Sequence, residues 1–185
     1  MIPDKDAIRD LLEKQKVPSH ILEHQEVVCR VALALARALR KAGYPVDLGL
    51  VEASALLHDI CKMDGIATGQ DHAGMAEEVL VRAGYPEVAC VVGQHVRLRS
   101  FRLDEAMVVN YADKRVMHAQ VVTLEERFKD LMERYGTDEA RRARIREHAS
   151  ACEEMERIIA GAIGAGVQEL EGLCLVPLDE TVDGL

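Results

Sequence analysis

The chain has 185 residues, 49% of them hydrophobic, which suits one domain with a substantial core. A net charge of −9 argues against a broad nucleic-acid footprint, which needs clustered basic residues. Four Tyr, two Phe and no Trp argue against single-strand binding by base stacking, and leave Leu, Val, Ala and Ile to fill the core as in helical proteins.

Cys29, Cys61, Cys90, Cys152 and Cys174 are scattered and form no C-x-x-C pair, so they read as reduced core residues of a cytoplasmic protein. Met1 to Asp6 has neither a basic nor an apolar leader segment, and no apolar run reaches membrane-spanning length. Nucleic-acid and membrane partners are not expected.

In chain order, Asp4 to Gln15 reads as a short amphipathic helix ending before Val17-Pro18. Ser19 is the candidate N-cap of a long helix to about Ala42, with Gly43 as its stop signal. Its apolar stripe runs through His24, Val28, Val31, Leu35 and Ala38, which puts His24 on the inward face. Taken alone, His24 reads as a core histidine bonded to a carbonyl. Asp47 can cap a helix from Leu48 to Ile60 that is apolar on almost every side, the pattern of a buried central helix. His58 and Asp59 lie near its end and Lys62 follows one turn later. Buried ionisable groups are costly unless paired or metal-bound, so the doublet calls for partners.

Residues 63 to 70 read as a loop. Asp71 is placed to cap a helix from His72 to Ala83, and Pro86 opens another that reaches His95. Arg97, Arg99 and Arg102 fall in a loop, either a solvated surface or a bidentate phosphate clamp. Asp104 caps a helix carrying Asp113 at the edge of the stripe Val108, Val109, Ala112 and Val116. Thr123 and Glu126 form a capping-box pattern ahead of a helix to Tyr135, and Thr137 can cap a last helix to Ile163 whose first half is a charged, solvated face. Residues 164 to 185 read as a mostly irregular tail, with a possible strand at Leu173 to Leu178.

His24, His58-Asp59, His72, His95 and Asp113 stand in the segments ALLHDICK, DHAGMAEEVL, GQHV and NYADKR. Together these resemble the HD superfamily of metal-dependent phosphohydrolases, over about half the chain, from His24 to Arg115. Members often read His-Asp-Ile-Gly where this chain has His58-Asp59-Ile60-Cys61, a difference at a non-ligand position. The resemblance implies an all-α fold, an HD-domain helical bundle of roughly seven helices around a metal site. It would occupy residues 1–163 as a single domain, with 164–185 packing on it or partly flexible.

The resemblance also implies the ligand set His24, His58, Asp59, His72, His95 and Asp113. Imidazoles favour Fe, Mn, Co, Ni or Zn over Mg or Ca, and four histidines with two carboxylates exceed what one tetrahedral zinc takes. Two ions per chain fit the count better, with Asp59 as the bridge. Such ions, roughly 3.5–4 Å apart, hold a hydroxide and stabilise a leaving oxygen. Each outer histidine has a blander reading: His72 as an exposed helix-start residue, His95 as a cation at a helix C-terminus. Mononuclear HD proteins use only the first His, the doublet and the last Asp. His20, His118 and His148 match no ligand position and read as surface residues.

The expected activity is hydrolysis of a small phosphoester, a nucleotide being favoured. Asp59 and Lys62 would act in catalysis, and Lys62, Arg97, Arg99, Arg102 and Lys114 would bind substrate. The alternatives are an HD-type di-iron oxygenase with the same ligands and a non-catalytic, metal-dependent ligand-binding module. A charged last helix is compatible with a homodimer.

Overall fold

A computed structural model describes residues 1–175, which form ten helices and one two-stranded hairpin. The fold is all-α. Helices α1 (Lys5–Lys14), α2 (Ser19–Lys41) and α3 (Leu48–Leu57) are followed by the short α4 (Lys62–Thr68). Then come α5 (His72–Arg82), α6 (Pro86–Val92) and α7 (Glu105–Lys114). Strands β1 (Val116–Met117) and β2 (Gln120–Val121) form an antiparallel hairpin ahead of α8 (Leu124–Tyr135), α9 (Glu139–Ile163) and α10 (Val167–Cys174).

Local signals account for most of these boundaries. Asp4, Asp47, Asp71 and Asp104 each accept a backbone N–H from the first turn of the helix that follows. Thr123 and Glu126 form the reciprocal capping box. Two expected caps are displaced by one residue. Pro18 rather than Ser19 precedes α2, without a side-chain cap, and Asp138 rather than Thr137 caps α9. The Asp138 carboxylate accepts from Arg141 N, while Thr137 Oγ1 is engaged by Arg141 Nη1.

Helix α2 is the long spine, packed against α3 and α7, and α7 is enclosed by α2, α3, α6 and α9. Every residue from Ala106 to Lys114 is therefore buried. The expected single buried centre is shared, since α7 is covered more completely than α3. A second apolar cluster, including Ile8, Leu57, Ile60, Leu80 and Val92, holds α1, α5 and α6 against the other side of α3.

Three segments depart from the sequence expectations. The helix from Leu48 ends at Leu57, so His58 and Asp59 lie in a tight turn where Ile60 N bonds Leu57 O and Lys62 N bonds Asp59 O. The chain from 63 to 68 is helical rather than a loop, and Gly69 closes it in a left-handed conformation (φ 70°). Val167–Cys174 is helical too, with Leu170 and Cys174 reaching the core, because its apolar residues find a surface on α2 and α9. The strand suggested at Leu173 to Leu178 is helix at its start, and residues 176–178 lie outside the described residues. Cys29, Cys61, Cys152 and Cys174 are buried as expected, whereas Cys90 is exposed on the outer face of α6.

A polar contact inside the core ties α9 and the chain after β2 to the end of α7. Arg115, 1% exposed, bonds the Tyr111 hydroxyl at 2.8 Å, the Val122 carbonyl at 2.8 Å and Glu156 at 3.3 Å. Tyr111 donates in turn to Glu156 at 2.7 Å. A guanidinium this deep is tolerable because its charge is paired and its donors are used.

Candidate metal centre

The six residues singled out in the sequence converge, although they come from five separate segments. His24 is in the second turn of α2, His58 and Asp59 are in the turn after α3, and His72 opens α5. His95 lies in the turn after α6, not within that helix, and Asp113 is in the last turn of α7. Five of the six are buried, while His72 keeps 28% of its side chain exposed and marks the open edge.

The cluster divides into two groups, His24–His58–Asp113 and Asp59–His72–His95, in each of which one potential ligand atom per residue lies within 4.8 Å of the others. In the first, Asp113 Oδ1 is 3.1 Å from His24 Nε2 and 3.6 Å from His58 Nε2. In the second, Asp59 Oδ1 is 3.4 Å from His72 Nε2 and 3.5 Å from His95 Nε2. The other oxygen of Asp59 turns to the first group, 3.5 Å from His58 Nε2 and 3.9 Å from His24 Nε2. One carboxylate thus faces both imidazole pairs with different oxygens.

Hydrogen bonds behind the rings set their orientation. The Nδ1 atoms of His24, His58 and His95 meet the carbonyls of His118, Ala55 and Val92 at 2.7, 2.7 and 2.8 Å. A carbonyl only accepts, so Nδ1 carries a proton in each ring and Nε2 points at the cluster, the arrangement behind metal-binding histidines. His58 Nε2 is fully buried and has no hydrogen-bond partner among the described residues. A buried, unpartnered imidazole nitrogen beside two carboxylates fits a cation site.

The electrostatics are those of a cation site. Burial alone would raise Asp59, but the charge of His58 and the nearby imidazole nitrogens of His72 and His95 hold its carboxyl well below the ordinary range. Burial likewise opposes ionisation of Asp113, and the Lys114 ammonium together with His24 and His58 outweighs it. Both are carboxylates at neutral pH. For His58, burial disfavours the charge, yet Asp59 and Asp113 push its pKa up to about 10, and a dication placed among the same oxygens would invert that balance. Burial lowers His95, which favours the neutral, ligating form.

The lysines and arginines have different surroundings. Lys62 Nζ bonds Asp59 Oδ2 at 2.5 Å and remains a third exposed. Lys114 is buried, contacting Asp113 Oδ2 and the His95 carbonyl, the latter at 3.2 Å. Arg99 pairs with Glu77, and Arg102 stands 3.8 Å from Asp104, both at the surface. Arg97 is exposed and has no ion pair among the described residues.

His20 and His118 are exposed, as expected of residues outside the ligand set. His148 is not. It is half-buried, with its ring edge-on to Phe128 at 5.5 Å. Two contributors escaped sequence reasoning. The carbonyl of His118 orients His24, and no side-chain pattern announces a carbonyl. Gly65 is the other: a Cβ there would stand 2.6 Å from His72 Cβ, so the glycine lets α4 close on the start of α5.

An all-α fold wrapped around a buried His–Asp cluster with ligand atoms in two groups defines a candidate metalloprotein. The chain belongs to the HD domain family, whose model matches residues 21–117, from the first turn of α2 through β1. A tRNA (cytidine(56)-2′-O)-methyltransferase of Thermoplasma volcanium is 25% identical over 179 residues, 92% of this chain and 51% of that protein. An uncharacterized protein of Methanocaldococcus jannaschii is 28% identical over 114 residues, 62% of this chain and 64% of that one. A second tRNA (cytidine(56)-2′-O)-methyltransferase, of Picrophilus torridus, is 32% identical over 95 residues, 51% of this chain and 26% of that protein. The chain therefore spans about half the length of the first of these relatives and less of the last. No solved structure matches it. Among the described residues, no helix is long and apolar enough to cross a membrane.

Proposed function

We propose that this protein is a metal-dependent phosphohydrolase acting on a small phosphoester, with a nucleotide as the favoured substrate class. The observation that carries the reading is the position of Asp59, whose two oxygens face different imidazole pairs. His24, His58 and Asp113 would hold one divalent transition ion, His72 and His95 a second, and Asp59 would serve both. Bound there, such ions would supply Lewis acidity and lower the pKa of a coordinated water.

The chain's own groups provide the rest. The backbone carbonyls behind His24, His58 and His95 engage each Nδ1 and leave each Nε2 aimed inward, where it would ligate. Two aspartates against two dications leave a residual charge of about +2, which attracts a phosphate. Lys62, beside Asp59 at the open edge next to His72, is placed to bind a phosphoryl oxygen as it arrives. Lys114 ties Asp113 to the chain at His95 and keeps the two metal-binding segments in register. With Arg99 and Arg102 each beside a carboxylate, Arg97 is the arginine of its loop best able to add to substrate binding.

Two relatives are named as tRNA methyltransferases, each longer than the segment this chain matches. That association agrees with a nucleotide-type phosphoester, while the net charge of −9 disfavours a long nucleic acid.

Apo-protein reloaded with Mn²⁺, Co²⁺ or Ni²⁺ under anaerobic conditions should release phosphate from at least one nucleotide or small phosphoester, because Lewis-acid chemistry needs no change of oxidation state. Turnover that requires both iron and O₂, with no phosphate released under argon, would replace this reading with a di-iron oxygenase.

A further inference from the structure

A cavity of about 370 Å³ opens between the 96–101 loop, α7 and α9, within the size range of small-ligand sites. None of the six candidate metal ligands lines it. It nevertheless shares their supports, since Asn110 stands one turn before Asp113 on α7 and Val96 directly follows His95. Lys114 lies between the two regions: it contacts Asp113 and the His95 carbonyl, and its charge is close enough to His148 to depress that imidazole's pKa.

Most of the wall is apolar, with Leu98, Phe101 and Met155 prominent, and the Phe101 ring is 53% exposed. An exposed ring at the edge of an apolar slot is a stacking surface for another ring. Two polar atoms from different helices remain without partners among the described residues, Asn110 Oδ1 and His148 Nε2. The Asn110 side chain is 1% exposed and its Nδ2 already donates to the Gln94 carbonyl at 2.7 Å, so the free oxygen is left to accept. A buried acceptor without a donor costs about 1–3 kcal/mol, which a ligand N–H would recover. Arg97 and Arg144 also line the cavity, against the single carboxylate of Glu147, and favour an anionic ligand.

We propose that this cavity holds the organic group of the phosphoester, a flat heteroaromatic ring bearing an amino group, stacked on Phe101 and donating to Asn110 Oδ1. Val96 beside His95 and Asn110 one turn from Asp113 put the cavity next to the metal centre, where the phosphate end would lie. The assignment rests on the phosphohydrolase reading for the role of the bound molecule, but not for binding itself.

Calorimetric titration of the protein as purified with adenosine and cytidine, which carry no phosphate to hydrolyse, tests it directly. At least one should bind, and its dimethylamino analogue (N6,N6-dimethyladenosine or N4,N4-dimethylcytidine) should bind about ten-fold or more weakly, the cost of a lost buried hydrogen bond. Ala151→Phe, which fills the cavity from α9, should abolish binding and leave the metal content unchanged. Absence of nucleoside binding at millimolar concentration, equal binding of the dimethylated analogue, or binding insensitive to Ala151→Phe overturns the proposal. Phosphate release without nucleoside binding removes only this assignment, whereas nucleoside binding without phosphate release removes only the hydrolase reading.

Discussion

Gly65 and His72 approach so closely that a Cβ on the glycine would lie 2.6 Å from the Cβ of the histidine and 3.1 Å from its Cα. Neither contact involves the far end of a flexible side chain, so Gly65→Ala must shift α4 or the start of α5. His72 belongs to the outer ligand group, and the shift should reach it first. We expect Gly65→Ala to keep the fold but lose much of the second metal, with elemental analysis falling from about two ions per chain toward one. An unchanged metal count would mean that the His72 position tolerates the displacement.

The division of the cluster into two groups makes the ligand substitutions unequal. His72→Ala or His95→Ala should leave about one ion per chain, and Asp59→Ala should cost the most because its oxygens face both groups. Wild-type protein holding one ion, with both histidine variants indistinguishable from it, would sink the two-metal arrangement.

Lys62 and Arg99 should separate in kinetics. Lys62→Ala removes a cation from the edge of the cluster and should lower phosphoester turnover about ten-fold or more with metal content intact. Its appearance in KM or in kcat distinguishes uniform binding from an interaction made only in the transition state. Arg99 is already paired with Glu77 at the surface, so Arg99→Ala should change either constant little. Equal losses from the two variants would place Arg99 on the substrate.

His148 gives stability a pH dependence. Burial, together with Lys114 and Arg127, lowers its pKa from 6.5 to about 4, and Asp113 offsets only part of this. Below 6.5 the unfolded chain takes up a proton that the folded one refuses. Stability is therefore complete above that value and falls as the pH drops from 6.5 toward 4. Allowing for partial exposure of the ring, the loss amounts to about 2 kcal/mol. Denaturant midpoints measured from pH 7 to 4.5 should show a shallower decline in His148→Phe than in the wild type, and parallel curves would assign the decline to other groups.

Arg115 should be intolerant of neutral replacement. Arg115→Met would leave the Glu156 carboxylate buried without its guanidinium and should cost about 3–5 kcal/mol in unfolding free energy. Arg115→Met combined with Glu156→Leu should recover much of that loss, since a buried ion pair and an apolar pair of similar volume are often close in energy. A double variant no more stable than the single would assign the cost to packing rather than charge.

What the sequence determined by itself was local in origin. Helix caps depend on groups two or three residues apart, so Asp4, Asp47, Asp71, Asp104 and Thr123 could be read directly. The six candidate metal ligands were legible as a set because the family pattern names them, and the inward stripe of α2 agreed for His24. Tertiary structure alone decided how they group. Which oxygen of Asp59 faces which imidazole depends on the break between α3 and α4, and that break reflects packing rather than any Gly or Pro signal. The helicity of 167–174 also came from contact, because short helices are marginal until a neighbour covers their apolar face, whereas 62–68 leaves Met63 and Ile66 exposed and meets α5 through Gly65. His148 shows the same limit: its helix is charged around it, and only the placement of Phe128 and Lys114 turns a surface residue into a half-buried neutral imidazole. Spacing along a chain fixes hydrogen bonds three or four residues long; burial and charge pairing belong to segments that meet only after folding.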